Sequence, residues 1–478
     1  MKLPALSTPP APHREFWKTS VQAATALSAL AGVEIPAVHA QGNDQIRIAL
    51  IGCGGRGGGA AKDALSVQKG GAKLVAMADV FEYKLDSALA SLKRDPEVGA
   101  DVEVGDNKFI GFDAFKHAMD TLRQGDVAIF TTPLAFRWVH FQYAIEKGLN
   151  VFMEKPLTCD GPSSRRMLAL AEESVKKNLK VGVGLMSRHS RHLQQLHQRI
   201  QDGEIGELLL LRGYRMQGGG GACLPRSLDR RGQRLTEVMF QISRFHSFLW
   251  LSGGSYNDFY IHLIDHLCWM KNDWPVKAQG LGARHYKKNV DGIEYVDQNF
   301  DSYAVEYTFA DGAKMYMDGR GVPGANPVYN SWAQGTKGIA VVSRANDCAG
   351  PSSTYKGQNR AAENRLWQSE VPREFSDPYK NEWIALLDAI RNNKPHNEVK
   401  RGDEASVVCN MGRLSAHTGQ EISYAEALNH DHEYSPSTDK LTADGPSPLM
   451  PDTSGRYPKP QPGQLKTREY DDKGQHSA

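Results

Sequence analysis

The chain is poor in the features that would make it a small stapled, membrane-spanning or nucleic-acid-binding protein. Its six cysteines, Cys53, Cys159, Cys223, Cys268, Cys348 and Cys409, are spread over 478 residues. None forms a C-x-x-C pair or a His/Cys cluster of zinc-site spacing, which argues against a disulfide framework and a structural zinc centre. Charge of one sign is also missing: 57 basic side chains face 55 acidic ones, a net +2. No field of that size recruits nucleic acid or an anionic membrane. There are no internal repeats. After the first 40 residues no stretch approaches the roughly 18 apolar residues that span a bilayer. What the chain has is length for two or three domains and a 40% hydrophobic content, enough for a substantial core.

Residues 1–40 read as an export leader to be left out of the fold. His13-Arg14-Glu15-Phe16-Trp17-Lys18 precedes an apolar, small-residue stretch at 21–33, and Val38-His39-Ala40 offers small residues at a cleavage site. The segment resembles a twin-arginine signal with His13 in place of the first arginine. A weakened twin-arginine signal, a general secretory signal and a retained anchor all fit, as does a plain amphipathic arm. The corresponding locations are the periplasm or the exterior, or the cytoplasm if the leader is inactive.

The most informative segment follows. A short apolar strand at 46–51 runs into Gly52-Cys53-Gly54-Gly55-Arg56-Gly57 and then into a helix-like run at 60–65. In this G-x-G-x-x-G turn each glycine has its own role. Gly52 permits the tight turn, Gly54 the close approach of backbone to a pyrophosphate, and Gly57 the packing of helix on strand. The helix N-terminus presents N–H groups and a positive dipole end to the phosphates. A second strand, 73–78, ends at Asp79, at the spacing of roughly 20 residues expected of the ribose-binding acid. An acid there accepts ribose hydroxyls and repels a 2′-phosphate, so NAD is expected over NADP. Gly55 and Arg56 belong to the same cofactor turn. The alternative is a glycine-rich loop with no ligand.

Alternating strands and helices continue through strands at 125–133 and 149–153, which predicts an α/β fold: a parallel dinucleotide-binding domain over 45–157. Residues 158–428 then form a second α+β domain, with strands at 207–215, 276–285, 302–309, 313–321 and 338–343 in an open, mostly antiparallel sheet and two late helices at 379–392 and 403–417. Residues 429–478 are polar and proline-rich, an extended arm or a disordered tail.

Two further segments carry chemistry. Glu154-Lys155-Pro156 stands at the carboxyl end of a parallel strand, the edge where ligands sit. There a partly desolvated Lys155 can give or take a proton, although a solvated turn lysine is the default. Gly253-Gly254-Ser255-Tyr256-Asn257-Asp258 leads into a helix that places Asp258, His262 and Asp265 on one face. A histidine oriented by a carboxylate is a sensible base for an alcohol proton. A solvent-facing polar stripe is the competing reading, and a metal is not expected.

The three motifs, in this order, resemble the Gfo/Idh/MocA oxidoreductases over about 45–428. The resemblance implies a Rossmann domain followed by a sheet domain that cups the substrate. It implies Lys155 and His262 as catalytic groups, with Asp258 binding substrate or assisting the histidine. Thr132, Pro133 and Glu154 then lie by the nicotinamide, and Arg188 and His189 match a place where relatives contact substrate, against ordinary salt bridging. Dimers or tetramers are a family expectation. The family's usual glycine two positions after Asp258 is Tyr260 here. His140 is expected to be structural. A loop at 217–234 with Arg226, Arg230, Arg231 and Arg234 is either a solvated surface loop or a binder of acidic sugar.

The function expected is NAD-dependent hydride transfer from a sugar or polyol hydroxyl. An alternative suited to export is a glycosidase that oxidises, eliminates, hydrates and reduces within one cycle. That route needs a second base, for which Tyr256, Tyr260 and His189 are candidates. The third possibility is a non-catalytic sugar- or cofactor-binding protein.

Overall fold

Uninterrupted apolar strands must be covered on both faces, and the first part of the chain is built to that requirement. The computed structural model describes residues 45–67, 70–218, 220–225, 234–285, 288–289 and 291–471. The expected leader and Arg226, Arg230 and Arg231 lie outside the described residues. Strands β1 (Ile46–Ile51), β2 (Ala72–Asp79), β3 (Lys108–Ile110), β4 (Val127–Phe130), β5 (Asn150–Met153) and β6 (Val181–Val183) alternate with helices. The helices are α1 (Gly55–Ser66), α2 (Glu82–Arg94), α3 (Ala114–Asp120), α4 (Arg137–Glu146) and α5 (Gly161–Lys176). Among the described residues these strands form one parallel sheet in the order β3-β2-β1-β4-β5-β6. The order reverses between β1 and β4, so the crevice at their carboxyl ends is the topological switch point where such sheets bind ligands.

The boundary expected at residue 157 is too early. Val181–Val183 pairs with Val151–Met153 and extends the first sheet by a strand. Three residues are too few to show a period, so nothing in their pattern joins them to the strands before. A later helix also returns to this sheet. On α10 (Pro378–Arg391), Trp383 stacks on Phe152 at 4.5 Å, and Leu386, Leu387 and Ile390 complete the core around β1.

The second sheet follows α6 (Arg191–Gln201). Its strands are β7 (Leu208–Gln217), β8 (Lys277–Ala283), β9 (Ser302–Thr308), β10 (Lys314–Gly321), β11 (Val328–Gly335), β12 (Gly338–Ser343), β13 (Ser353–Lys356), β14 (Arg365–Gln368) and β15 (Ile422–Ser423). Their order is β14-β13-β12-β11-β7-β10-β9-β8-β15, antiparallel except for β7 with β10. β9 alternates buried and half-buried residues along its length, as a sheet covered on one face requires. The cover is α9 (Gly254–Lys271) and α11 (Val399–Thr418). Two shorter helices, α7 (Glu237–Ser243) and α8 (Leu249–Ser252), precede α9, and α12 (Tyr424–Asn429) follows β15. Among the described residues no helix is long and apolar enough to cross a membrane.

Beyond α12 the chain runs to residue 471 as an irregular arm with a single 3-10 turn. It is ordered because a few of its side chains have somewhere to go. Tyr434, Leu449, Tyr457 and Tyr470 join a core with Phe136, Ile242, Phe248 and Trp250. Glu469, 1% exposed, reaches α11, where Arg413 Nε donates to it at 2.9 Å and His417 Nδ1 lies 2.6 Å away. Burial alone would raise the Glu469 carboxyl; Arg413 and His417 outweigh it and bring it down to about 2. Removing one partner of such a buried pair leaves the other charge uncompensated. The expected outcome for Glu469→Ala is a loss of about 3–5 kcal/mol in unfolding free energy, read from urea denaturation.

Candidate active site

The turn between β1 and α1 separates the glycines that the fold needs from the one a ligand needs. Gly52 adopts φ +95°, and a Cβ there would lie 2.8 Å from the Thr131 carbonyl carbon. A Cβ on Gly57 would overlap the Gly52 carbonyl oxygen. On Gly54 or Gly55 it would meet nothing within 4 Å. Open space at Gly54, beside the first turn of a helix whose N–H groups have no acceptor within the helix, is the cradle a diphosphate fills. The adjoining cleft is lined in part by Gly52, Gly54, Asp79, Thr132 and Pro133.

Asp79 ends β2 at this cleft. Its Oδ2 accepts the Cys53 N–H at 2.6 Å and its Oδ1 the Phe81 N–H at 2.9 Å. The acid thus fixes the turn and still borders the cleft. Thr132 is held from behind: Arg137 Nη2 donates to its carbonyl at 3.0 Å, and His140 Nδ1 lies 3.3 Å from its hydroxyl. Burial, with Arg137 nearby, lowers His140 to about 3. It is packed on Phe115 and borders the cleft.

Arg56 and Glu154 occupy the expected region but bind each other. Arg56 Nε donates to Glu154 Oε1 at 2.5 Å, and the guanidinium lies 4.6 Å over the Tyr379 ring. The pair ties α1 to the end of β5. Arg56 is therefore committed to protein carboxylates, not free for a diphosphate as the motif implies, and its further neighbours Asp63 and Glu382 are also acidic.

Lys155, one position on, reaches the other domain. Its Nζ donates to the Asp258 carbonyl oxygen at 2.6 Å and to Oδ1 at 3.3 Å. Asp258 Oδ2 lies 2.5 Å from His246 Nδ1. Burial would raise the Asp258 carboxyl, but Lys155 and His246 together hold it well below the usual carboxylate range. His262 follows one turn along α9 and is 7% exposed. Burial, then Lys155 and Arg215, push its imidazole well below 6.5. Its Nδ1 is buried with no hydrogen-bond partner. The expectation that Asp258 orients His262 is thus corrected: the carboxylate is spent on Lys155 and His246.

Two further assignments change. Arg188 grips Asp265 through Nε and Nη2 at 2.8–3.0 Å, with Trp269 and Trp274 beside its guanidinium. His189 Nε2 lies 3.1 Å from Glu398, which Arg401 also holds. The salt-bridging alternative holds for both, and Asp265, buried under Arg188, does not extend the Asp258–His262 face toward the site. Tyr260 has a specific accommodation. Its ring occupies the space above Gly319 of β10, where any Cβ would overlap it.

Three residues carry no signal of their role in the sequence. His246 lies in a 3-10 turn (Phe245–Ser247) with no spacing that links it to Asp258. Arg215, near the end of β7, donates to Asp347 at 3.0 Å. Burial, only partly offset by Arg215 and Lys155, raises Asp347 to about 6. Among the described residues no group of three or more His, Cys, Asp or Glu side chains is placed to hold a metal ion.

No protein-family model matches the chain. An inositol 2-dehydrogenase of Corynebacterium glutamicum is 30% identical over 146 residues, 30% of this chain and 41% of that protein. The chain thus spans under half the length of the curated relatives it matches. Among solved structures, myo-inositol 2-dehydrogenase from Lactobacillus plantarum superposes with TM-score 0.56 at 20% identity, covering 80% of this chain and 99% of that one. The WlbA dehydrogenase of Bordetella pertussis, in complex with NADH and UDP-GlcNAcA, gives 0.59 at 15% identity, covering 80% and 98%. These likenesses show the two-domain fold: a Rossmann sheet joined to a mixed sheet.

Two outcomes follow from this geometry. Because burial and two neighbouring cations disfavour the imidazolium, His262 stays neutral as pH falls through 6.5 and protonates only well below it, as ring nitrogen chemical shifts would register. Gly319→Ala forces a methyl into the Tyr260 ring and costs about 1–3 kcal/mol in a denaturant melt. Adding Tyr260→Ala removes that clash and makes the two substitutions non-additive.

Proposed function

We propose that the chain is an oxidoreductase of the Gfo/Idh/MocA type that uses NAD to oxidise a secondary hydroxyl of a sugar or polyol. The observation that carries the proposal is the meeting of Lys155, from the carboxyl edge of the parallel sheet, with Asp258 one helical turn from His262. The open turn at Gly54 and the acid at Asp79 fit the dinucleotide, and the inositol dehydrogenases among the relatives support a polyhydroxylated substrate.

A bound nicotinamide supplies the hydride acceptor. The residues of the chain supply position and proton handling. Lys155, its ammonium directed by two oxygens of Asp258, stabilises negative charge on the hydroxyl oxygen as its proton leaves. His262, neutral and with an unclaimed Nδ1, accepts that proton. Thr132 and Pro133 border the cleft on the side of β4.

Export through the 1–40 leader and assembly of copies through the outer face of the second sheet, where Leu209 and Leu281 are exposed, complete the proposal. Cell fractionation and sedimentation respectively check them. In a periplasmic setting, protein purified without added nucleotide releases close to one NAD(H) per chain on heating. A dissociable dehydrogenase releases far less and binds NAD in titration, and no binding at all removes the proposal. Lys155→Ala lowers the oxidation rate at least about a hundredfold, measured with a sugar or polyol panel, while NAD still binds; a pure binding protein keeps its sugar affinity unchanged by the same substitution.

A further inference from the structure

We propose that a second pocket, in the sheet domain beside His262, binds a further neutral sugar ring joined to the ring that is oxidised. This rests on the function proposed above and deepens it: the substrate class becomes a glycoside of two or more rings instead of a free polyol. Among the described residues this pocket shares no lining residue with the cofactor cleft.

The pocket forms where several elements of the second domain end. β7 and β10 run parallel, and their last residues lie side by side, Gln217 opposite Gly321. Arg320 and Asp301, the residue before β9, add to this wall. Another wall comes from α9, through Ser255 and Phe259. Ser255, Phe259 and His262 stand at i, i+4 and i+7 of that helix, so they share one stripe of its surface. Phe259 and His262 are about 4.5 Å apart along the helix axis. The pocket therefore continues the stripe that carries the proposed base. Arg215 joins the two places: it lines the pocket, and its charge is one of the causes that keep His262 neutral.

The lining suits hydroxyls and C–H faces better than an ion. Phe259 and Phe300 offer apolar ring surface to the C–H groups of a pyranose. Gln217 both donates and accepts, Asp301 accepts and Arg320 donates, the mixed set that a ring of hydroxyls needs. Two of these groups are held in place by backbone. Arg320 Nη2 donates to the Asn326 carbonyl at 2.7 Å, and Asp301 Oδ2 accepts the His285 N–H at 2.5 Å. A guanidinium has five N–H groups, so Arg320 keeps donors for a ligand. Groups fixed in advance lose little freedom when a ligand arrives.

Charge argues against an anionic ligand. Arg215 is neutralised by Asp347 at 3.0 Å, and Arg320 shares the pocket with Asp301. The lining charges balance, and a carboxylate or sulfate finds no net attraction there.

The test measures NAD reduction by the full chain with three disaccharides and their one-ring counterparts. The pairs are cellobiose with methyl β-glucoside, maltose with methyl α-glucoside, and lactose with methyl β-galactoside. At least one disaccharide is expected to exceed its counterpart in kcat/KM by about tenfold or more. That ratio falls about tenfold in Arg320→Ala and about threefold in Gln217→Ala, each checked for folding by circular dichroism. A merely structural role would move both sugars of a pair together and leave the ratio as it was. Ratios near one for all three pairs in wild type overturn the pocket, and turnover of the methyl glycosides then leaves the proposed function standing. An advantage retained within about twofold in both variants overturns the pocket as well. If none of the six sugars is oxidised, calorimetry with the three disaccharides decides. Binding that Arg320→Ala weakens about tenfold supports the pocket and counts against the proposed oxidation. Binding that is absent, or that the substitution leaves within about twofold, overturns the pocket.

Discussion

Everything in the site depends on one contact across the molecule, that of the Lys155 ammonium with the backbone carbonyl and side chain of Asp258. Lys155 is delivered by the carboxyl end of a parallel strand and Asp258 by the first turns of a helix that covers the other sheet. Neither sheet alone makes a site. The contact joins the two, helps lower the Asp258 carboxyl and, through its positive charge, helps keep His262 neutral. That cation acts in concert with burial and Arg215 on His262, and with His246 on Asp258. The direction is the useful one: an anion that holds the cation, and a base whose lone pair is unclaimed.

Much of this was legible because the signals are local. The β1–turn–α1 unit, Asp79 at its spacing and the Lys155 edge each occupy a few consecutive residues whose physical roles are distinct. Gly52 and Gly57 are demanded by the backbone around them, and Gly54 by the space beside it. Pairings over long separations were not legible. Nothing in the sequence says that Arg56 meets Glu154, that Asp265 is taken by Arg188, or that His246 meets Asp258. The pattern of Val328-Tyr329-Asn330-Ser331-Trp332 breaks apolar alternation and hides β11, which pairs along its length with β7 and over Ser331–Gln334 with β12. The departure at Tyr260 was visible, but its remedy was not, since Gly319 lies on a strand remote in sequence.

The segment from α7 to α8 and the arm that covers it act as one unit. Ile242 and Phe245 line the cofactor cleft, and His246 faces Asp258. The same segment rests on Tyr457 and Leu449 of the arm: Gln241 donates to the Leu449 carbonyl at 2.6 Å, and the Tyr457 hydroxyl donates to Glu237. One wall of the cleft is therefore backed by the arm instead of by either sheet. The arm in turn is secured where Glu469 meets Arg413 and His417.

That dependence has a bearing on how the protein is made. A ribosome delivers the glycine-rich turn within the first sixty residues of the chain, but the wall opposite gains its backing only when residue 469 has emerged. A chain cut short just before Leu449 carries both sheets and every residue of the proposed chemistry, but lacks Leu449, Tyr457 and Glu469, which back the segment bearing Phe245 and His246. The wall that carries Phe245 is thus completed from a part of the chain far from either sheet, by residues that take no part in the proposed chemistry.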